Sequence, residues 1–316
     1  MLTPRENWIR FLKGEEPEWM PSDRDMVLFL PAFLPENVAR GKVVQQGEFD
    51  ESTYGGKDWF GVDWVYDPTV RGSMEVAPLM DEVDEWEEKV VFPDLSKLDW
   101  ERFAAENRDF LNTDKLVGTM LYTGFFERLI SFVGFEKAAM ALIDEDEQDA
   151  VKALFDKLAD FYIEQVRYMK EYLNVEYVEL HDDWGTQRGP MISEDTLREM
   201  IVPYVRKFAD GVHALGVYFE MHSCGMIEPL IPALIDTGAD TWRGQDVNNK
   251  LALIRQYGDR FKFGVEIRTL QETSDEELLE MVRKFKEDYA GEQIWLMAGR
   301  GLPPEKAKLV YDEVYG

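Results

Sequence analysis

Val217-Tyr218-Phe219-Glu220-Met221-His222-Ser223-Cys224-Gly225 reads as one strand running into one turn. The strand-like part, Val217 to Met221, is followed by a histidine and the chain's only cysteine two residues apart, and an amphipathic segment begins near Ile227. Imidazole nitrogen and thiolate sulfur are the donors zinc prefers. On a strand-to-helix turn, His222 and Cys224 could reach one ion. The pair supplies two ligands where zinc takes three or four, and a buried histidine beside a small apolar cysteine accounts for the same letters.

The same strand-then-helix unit recurs on both sides of this stretch. Upstream, Leu116–Leu121 is strand-like and a helical pattern starts near Phe125. From Asp149 to Leu173, Val151, Leu154, Phe155, Leu158, Tyr162, Val166 and Met169 recur at helical spacing. Val175–Leu180 is the next strand, and Ser193 caps a helix that Pro203 is expected to bend. Downstream come a helix to Thr237, a strand over 239–242, a helix over 251–257 and a strand over 261–265. A helix capped by Ser274, a strand over 293–297 and a helix from Pro303 to Val314 close the chain. With apolar segments at Met26–Leu30 and within 58–66, about eight strands are counted, most followed by a helix. That alternation predicts a parallel sheet, and eight units predict a (β/α)8 barrel. No Gly-x-Gly-x-x-Gly follows the first strand, which disfavours a doubly wound dinucleotide fold. Thr3-Pro4-Arg5-Glu6 starts an N-terminal helix. Residues 69–95 read as an irregular insertion, so the expectation is a single α/β domain over 1–316: a distorted barrel with an N-terminal extension.

Composition limits what the barrel can do. The 316 residues are 45% hydrophobic and 31% charged, a globular balance. Asp+Glu 63 against Lys+Arg 35 gives a formal net charge of −28. Such a field repels phosphate backbones and works against polyanionic substrates, so nucleic acid is not an expected partner. No apolar run is long enough to span a membrane. One cysteine excludes an intramolecular disulfide, and the N-terminus has no apolar signal region, so a cytoplasmic location is expected.

In a barrel, residues just past each strand converge on one mouth. That places Tyr122, Phe125, Glu127 and Arg128 with His181, Asp182, Asp183 and Trp184, and both groups with His222, Cys224, Arg243, Glu266, Arg268 and Arg300. Glu266 is the leading candidate for a third metal ligand; an ion pair with Arg268 or Arg300 is the alternative. His181-Asp182-Asp183 could supply an acid/base group, a further ligand or strand-end caps. Tyr122, Phe125 and Trp184, with His181 and Arg300, are candidates to line a substrate pocket.

Several blocks resemble the uroporphyrinogen decarboxylase superfamily. They are Leu2–Asn7, Phe60–Trp64, Phe92-Pro93-Asp94-Leu95, Leu98–Glu101, His181–Gln187, Ser193–Pro203, His222–Gly225 and Leu302–Glu305. The resemblance implies a distorted (β/α)8 barrel and two branches of activity, decarboxylases and cobamide-dependent methyltransferases. The decarboxylase segment that carries two arginines is matched by Leu28–Pro35, where both are apolar. The methyltransferase branch carries a His-x-Cys zinc pair, matched by His222 and Cys224, and usually a later Cys. Here that position falls in Ala298-Gly299-Arg300-Gly301, which has none.

The resemblance therefore implies a zinc-dependent methyltransferase. It would move a methyl group between a small methylated ether or thiol and a corrinoid (cobalamin) on a partner corrinoid protein, in the manner of O-demethylation. Metal ligands are expected at His222, Cys224 and Glu266, with Asp182 or Glu127 handling the proton. A uroporphyrinogen-type carboxy-lyase and a non-catalytic corrinoid-binding protein are the alternatives.

Overall fold

The computed structural model describes residues 1–28, 34, 36, 55–67, 69, 72–267, 273–298 and 302–316. Helix α1 (Pro4–Leu12) begins on a full capping box between Thr3 and Glu6. After β1 (Met26–Leu28) come β2 (Gly56–Lys57), β3 (Asp63–Asp67) and β4 (Gly72–Glu75), an antiparallel sheet in that order. The short helices α2 (Trp86–Lys89), α3 (Trp100–Glu106) and α4 (Arg108–Leu111) follow. The region read as an irregular insertion thus holds a paired strand, β4, and a helix, α2. Neither is signalled by apolar alternation, because the β4 residues are held by their pairing with β3.

From β5 onward the alternation is regular. β5 (Leu116–Leu121) leads to α5 (Phe125–Val133), α6 (Phe135–Ala141) and α7 (Gln148–Leu173). β6 (Tyr177–His181) is followed by a small hairpin of β7 (Gly185–Thr186) and β8 (Gly189–Pro190), then α8 (Glu194–Met200) and α9 (Val202–Ala214). Next come β9 (Tyr218–Ser223), α10 (Ile231–Asp236), β10 (Thr241–Gly244) and α11 (Lys250–Tyr257). β11 (Lys262–Glu266), α12 (Asp275–Asp288), β12 (Ile294–Met297) and α13 (Pro304–Tyr315) complete the chain. The bend expected at Pro203 is a break. α8 stops at Met200, Ile201 leaves helical geometry (φ −122°), and Pro203 falls in the first turn of α9, where a missing N–H is harmless.

The chain divides into two compact units. In the first, Leu28–Asn112 with Val117–Ala239, strands β5, β6 and β9 pair parallel in that order. Strand period decides which side chains share a face. Tyr177, Glu179 and His181 stand opposite Tyr218, Glu220 and His222 on one face. Val178, Leu180, Phe219 and Met221 point the other way and are fully buried. That second face is covered by helices. Every predicted apolar position of the α7 stripe is buried, each contributing about 1.5–3 kcal/mol. Phe155 and Tyr162 of α7 meet Tyr204 and Phe208 of α9 edge-on, and Phe208 meets Phe219 of β9 at 5.1 Å. Asn174, in the left-handed region at φ 55°, stops α7 before β6.

In the second unit, Met1–Val27 with Thr113–Leu116 and Asp240–Gly316, strands β10, β11 and β12 again pair parallel in sequence order. Ser22 bridges Leu296 on β12. Trp8 of α1 is fully buried, its ring 5.4 Å from that of Trp295 and its indole N–H on the Ser22 carbonyl.

Candidate metal centre

β6 and β9 end side by side, and their last residues build the site. The register pairs His181 with His222, so the histidines lie on the strands themselves, with Ser223 still in β9. Their rings are 4.6 Å apart between centroids and 20° from parallel.

The loops beyond are fastened to each other. The Cys224 N–H donates to Asp183 Oδ1 (2.7 Å), and the Trp184 N–H donates to Ser223 Oγ (2.9 Å). Gly225 sits at φ 79°, and a Cβ there would lie 2.2 Å from the Gly185 carbonyl carbon and oxygen. Only glycine fits that crossing.

Asp182 holds the neighbouring helix. α5 has Gly124 at its N-cap, which offers no side chain to the free N–H groups of the first turn. Asp182 takes that role from a different strand: Oδ2 accepts from Phe126 N–H (3.2 Å) and Oδ1 from Glu127 N–H (2.9 Å). Oδ2 also accepts from the indole of Trp184 (2.9 Å). A Cβ on Gly124 would fall 2.4 Å from that of Asp182, so the absent side chain is what lets the carboxyl dock. Burial, and next the Glu127 charge, push the Asp182 carboxyl up to about 7, against the pull of its N–H donors.

Docked this way, α5 delivers Glu127 to His181. Glu127 Oε2 is 2.9 Å from His181 Nδ1. His181 Nε2 is 3.7 Å from Asp183 Oδ1, and His222 Nε2 is 3.5 Å from Cys224 Sγ. Among the described residues, His181, Asp183, His222 and Cys224 form one group whose ligand atoms all lie within 4.8 Å of one another. A tetrahedral zinc with bonds of about 2.0–2.3 Å spaces its ligands roughly 3.3–3.8 Å apart, so the His181–Asp183 and His222–Cys224 spacings already suit it. Two imidazoles, a thiol and a carboxylate are a donor set zinc accepts. The residues fit the ion.

The structure thus joins His222 and Cys224, and adds His181, which the sequence reading offered both as a possible further ligand and as a pocket residue. Asp183 belongs to the same group, from the His181-Asp182-Asp183 run that the sequence offered as a source of a further ligand. The signal was there: His181-x-Asp183 repeats the spacing of His222-x-Cys224 at the ends of successive strands. Glu266 is not one of the four; it ends β11 in the other unit and lines a cavity with Lys250. Trp184 and Phe125 are fully buried, Trp184 bonded to Asp182 and Phe125 edge-on to Phe155 and Tyr162. Tyr122 packs with Met120 and Leu28. Arg268 and Arg300 lie outside the described residues, as does most of the Leu28–Pro35 segment.

A family model described as uroporphyrinogen decarboxylase (URO-D) matches residues 124–306, more than half of the chain. The chain belongs to the uroporphyrinogen decarboxylase family. Among solved structures it is similar to a methyltransferase from Methanosarcina mazei, with a TM-score of 0.71 at 15% identity, covering 99% of this chain and 98% of that one. That likeness establishes an α/β barrel-like fold, the class the alternation predicted; of the eight strands counted, the one within 58–66 is instead β3 of the small antiparallel sheet. A putative vitamin-B12 independent methionine synthase from Listeria monocytogenes aligns over 66% of this chain and 69% of its own, at 13% identity and a TM-score of 0.41. No curated protein matches the chain.

Proposed function

We propose that the protein is a zinc-dependent methyltransferase acting between a small methylated substrate and a corrinoid carried by a partner protein. The observation that carries this reading is the four-donor group at the ends of β6 and β9. Family membership and the likeness to a methyltransferase support it.

His181, Asp183, His222 and Cys224 would hold the metal. When bound, the ion supplies Lewis-acid activation of the substrate heteroatom. The chain's own residues set up the rest. Glu127 receives the Nδ1 proton of His181, which leaves Nε2 facing the other donors, the carboxylate–histidine arrangement that fixes a ligand's tautomer. Asp183 ties the Cys224 backbone in place through Oδ1, the same oxygen that lies 3.7 Å from His181 Nε2. Asp182 holds the first turn of α5 and thereby the position of Glu127. One thiol among two imidazoles and a carboxylate is a harder set than a thiol-rich one, which favours an oxygen-bearing substrate such as a methyl ether.

The test is zinc content together with methyl transfer. The purified protein is expected to bind about one zinc and to methylate cob(I)alamin from a panel of methoxyarenes and methylated thiols, with the activity lost to chelator. Equal zinc content in the wild type and Cys224→Ala would refute the ligand assignment. The family's name keeps a carboxy-lyase as the second reading; chelator-insensitive turnover of uroporphyrinogen is its signature.

A further inference from the structure

Lys250 is in an awkward place for a lysine. It is the first residue of α11, at the positive end of the helix, and is only 4% exposed. Its Nζ is 3.2 Å from Asp246 Oδ1. Both residues line a cavity of about 560 Å³ within the Asp240–Gly316 part of the second unit, and so does the Glu266 carboxylate. Val265 and Phe285 give the cavity an apolar wall. Burial holds the Lys250 ammonium below the ordinary lysine range, with the nearby Arg243 charge acting in the same direction; Asp246 and Glu266 pull the other way. Burying an ammonium at a helix start costs stability, and local rules are broken this way at functional sites. A lysine that is desolvated and set near another cation is the pattern of an amine nucleophile.

We infer that Lys250 is the nucleophile of a second small-molecule site, which takes a neutral aldehyde or ketone as an imine. The Lys250 nitrogen attacks the carbonyl carbon, a C=N bond forms, and the carbonyl oxygen leaves as water with the two protons the amine gives up. Asp246 and Glu266 are the carboxylates at hand to pass those protons. The same carboxylates, with Asp288, disfavour anionic oxo acids.

The full-length protein is incubated with propanal and cyanoborohydride at neutral pH, digested and mapped by mass spectrometry. Lys250 is expected to be the most heavily propylated lysine, with propanal labelling it more than pyruvate at equal concentration. The label is lost from that peptide in Lys250→Met, and equally in Lys250→Arg, which keeps the charge should the methionine variant not fold. Exposed lysines labelled while Lys250 stays unmodified would overturn the assignment, and so would preference for pyruvate. The readout is independent of zinc and methyl transfer, so its failure leaves the proposed activity standing.

Discussion

His181 and His222 stand directly opposite each other at the ends of neighbouring parallel strands, with ring centroids 4.6 Å apart. Each is followed, two residues on, by a second donor, Asp183 and Cys224. Parallel register converts a repeated sequence spacing into a four-donor group, and His181 has its outer nitrogen on Glu127.

That outer contact is testable apart from the ligands. Glu127→Gln removes the anionic acceptor for His181 Nδ1 and leaves all four donors. Zinc affinity is expected to fall about 10–100-fold, read by competition with a chromophoric chelator. The melting temperature of the metal-free variant should stay close to that of the wild type. An unchanged affinity would mean that His181 is not a ligand.

Metal-free protein should carry the mark of Asp182 in its pH dependence. Its folded-state value, about 7, lies above the ordinary carboxyl range. A raised value means stability that is fully present in acid, below about pH 4, and lost as pH rises through about 7. Chelator-treated wild type is therefore expected to melt at lower temperature at pH 8 than at pH 5. Asp182→Asn loses that slope. It is also less stable at pH 5, by roughly 1–3 kcal/mol, because its amide sets N–H against the N–H groups of α5. Thermal melts across pH 5–8 decide it.

Arg128 lies between two carboxylates, 2.6 Å from Glu36 Oε1 and 2.6 Å from Asp58 Oδ2, with no solvent exposure. Arg128→Leu strands buried acids and should cost about 3–5 kcal/mol. Burial already holds Glu36 above the ordinary carboxyl range, against the pull of Arg128. Without the guanidinium it rises further, so the variant's deficit should shrink toward pH 5 and widen toward pH 8. Denaturant titrations at the two pH values check the sign.

Much of this architecture was legible in the sequence. Leu116–Leu121 is a strand with the expected ends, and α7 begins within a residue of its predicted start, because long apolar periodicity at a fixed face leaves few alternatives. Capping residues placed α1, α8 and α12 equally well. What stayed hidden depends on partners distant in the chain. β4 exists because β3 lies beside it. Asp182 caps a helix that begins 57 residues earlier at Phe125, a contact no local pattern announces. Glu266 was preferred as the third ligand because strand ends share a barrel mouth, over the His181-Asp182-Asp183 run that the sequence offered as a source of a further ligand and that holds two of the four donors.

Gly225→Ala tests whether the loop crossing matters to the donors. The added methyl meets the Gly185 backbone at 2.2 Å, and the residue sits at φ 79°, where a side chain adds about 1 kcal/mol of strain even in open space. Backbone cannot swing aside as a flexible side chain can, so the loop after β9 must shift. That shift would pull Cys224 N–H from Asp183 and the thiol from His222. The expected outcome is a loss of more than about 2 kcal/mol in stability together with a fall in zinc affinity. Gly216→Ala is the control: it has comparable φ, 71°, but no atom within 4 Å of the new Cβ and no link to the donors. It should lose stability through backbone strain alone and keep its zinc. Equal zinc affinities in the two variants would show that the crossing does not hold the site.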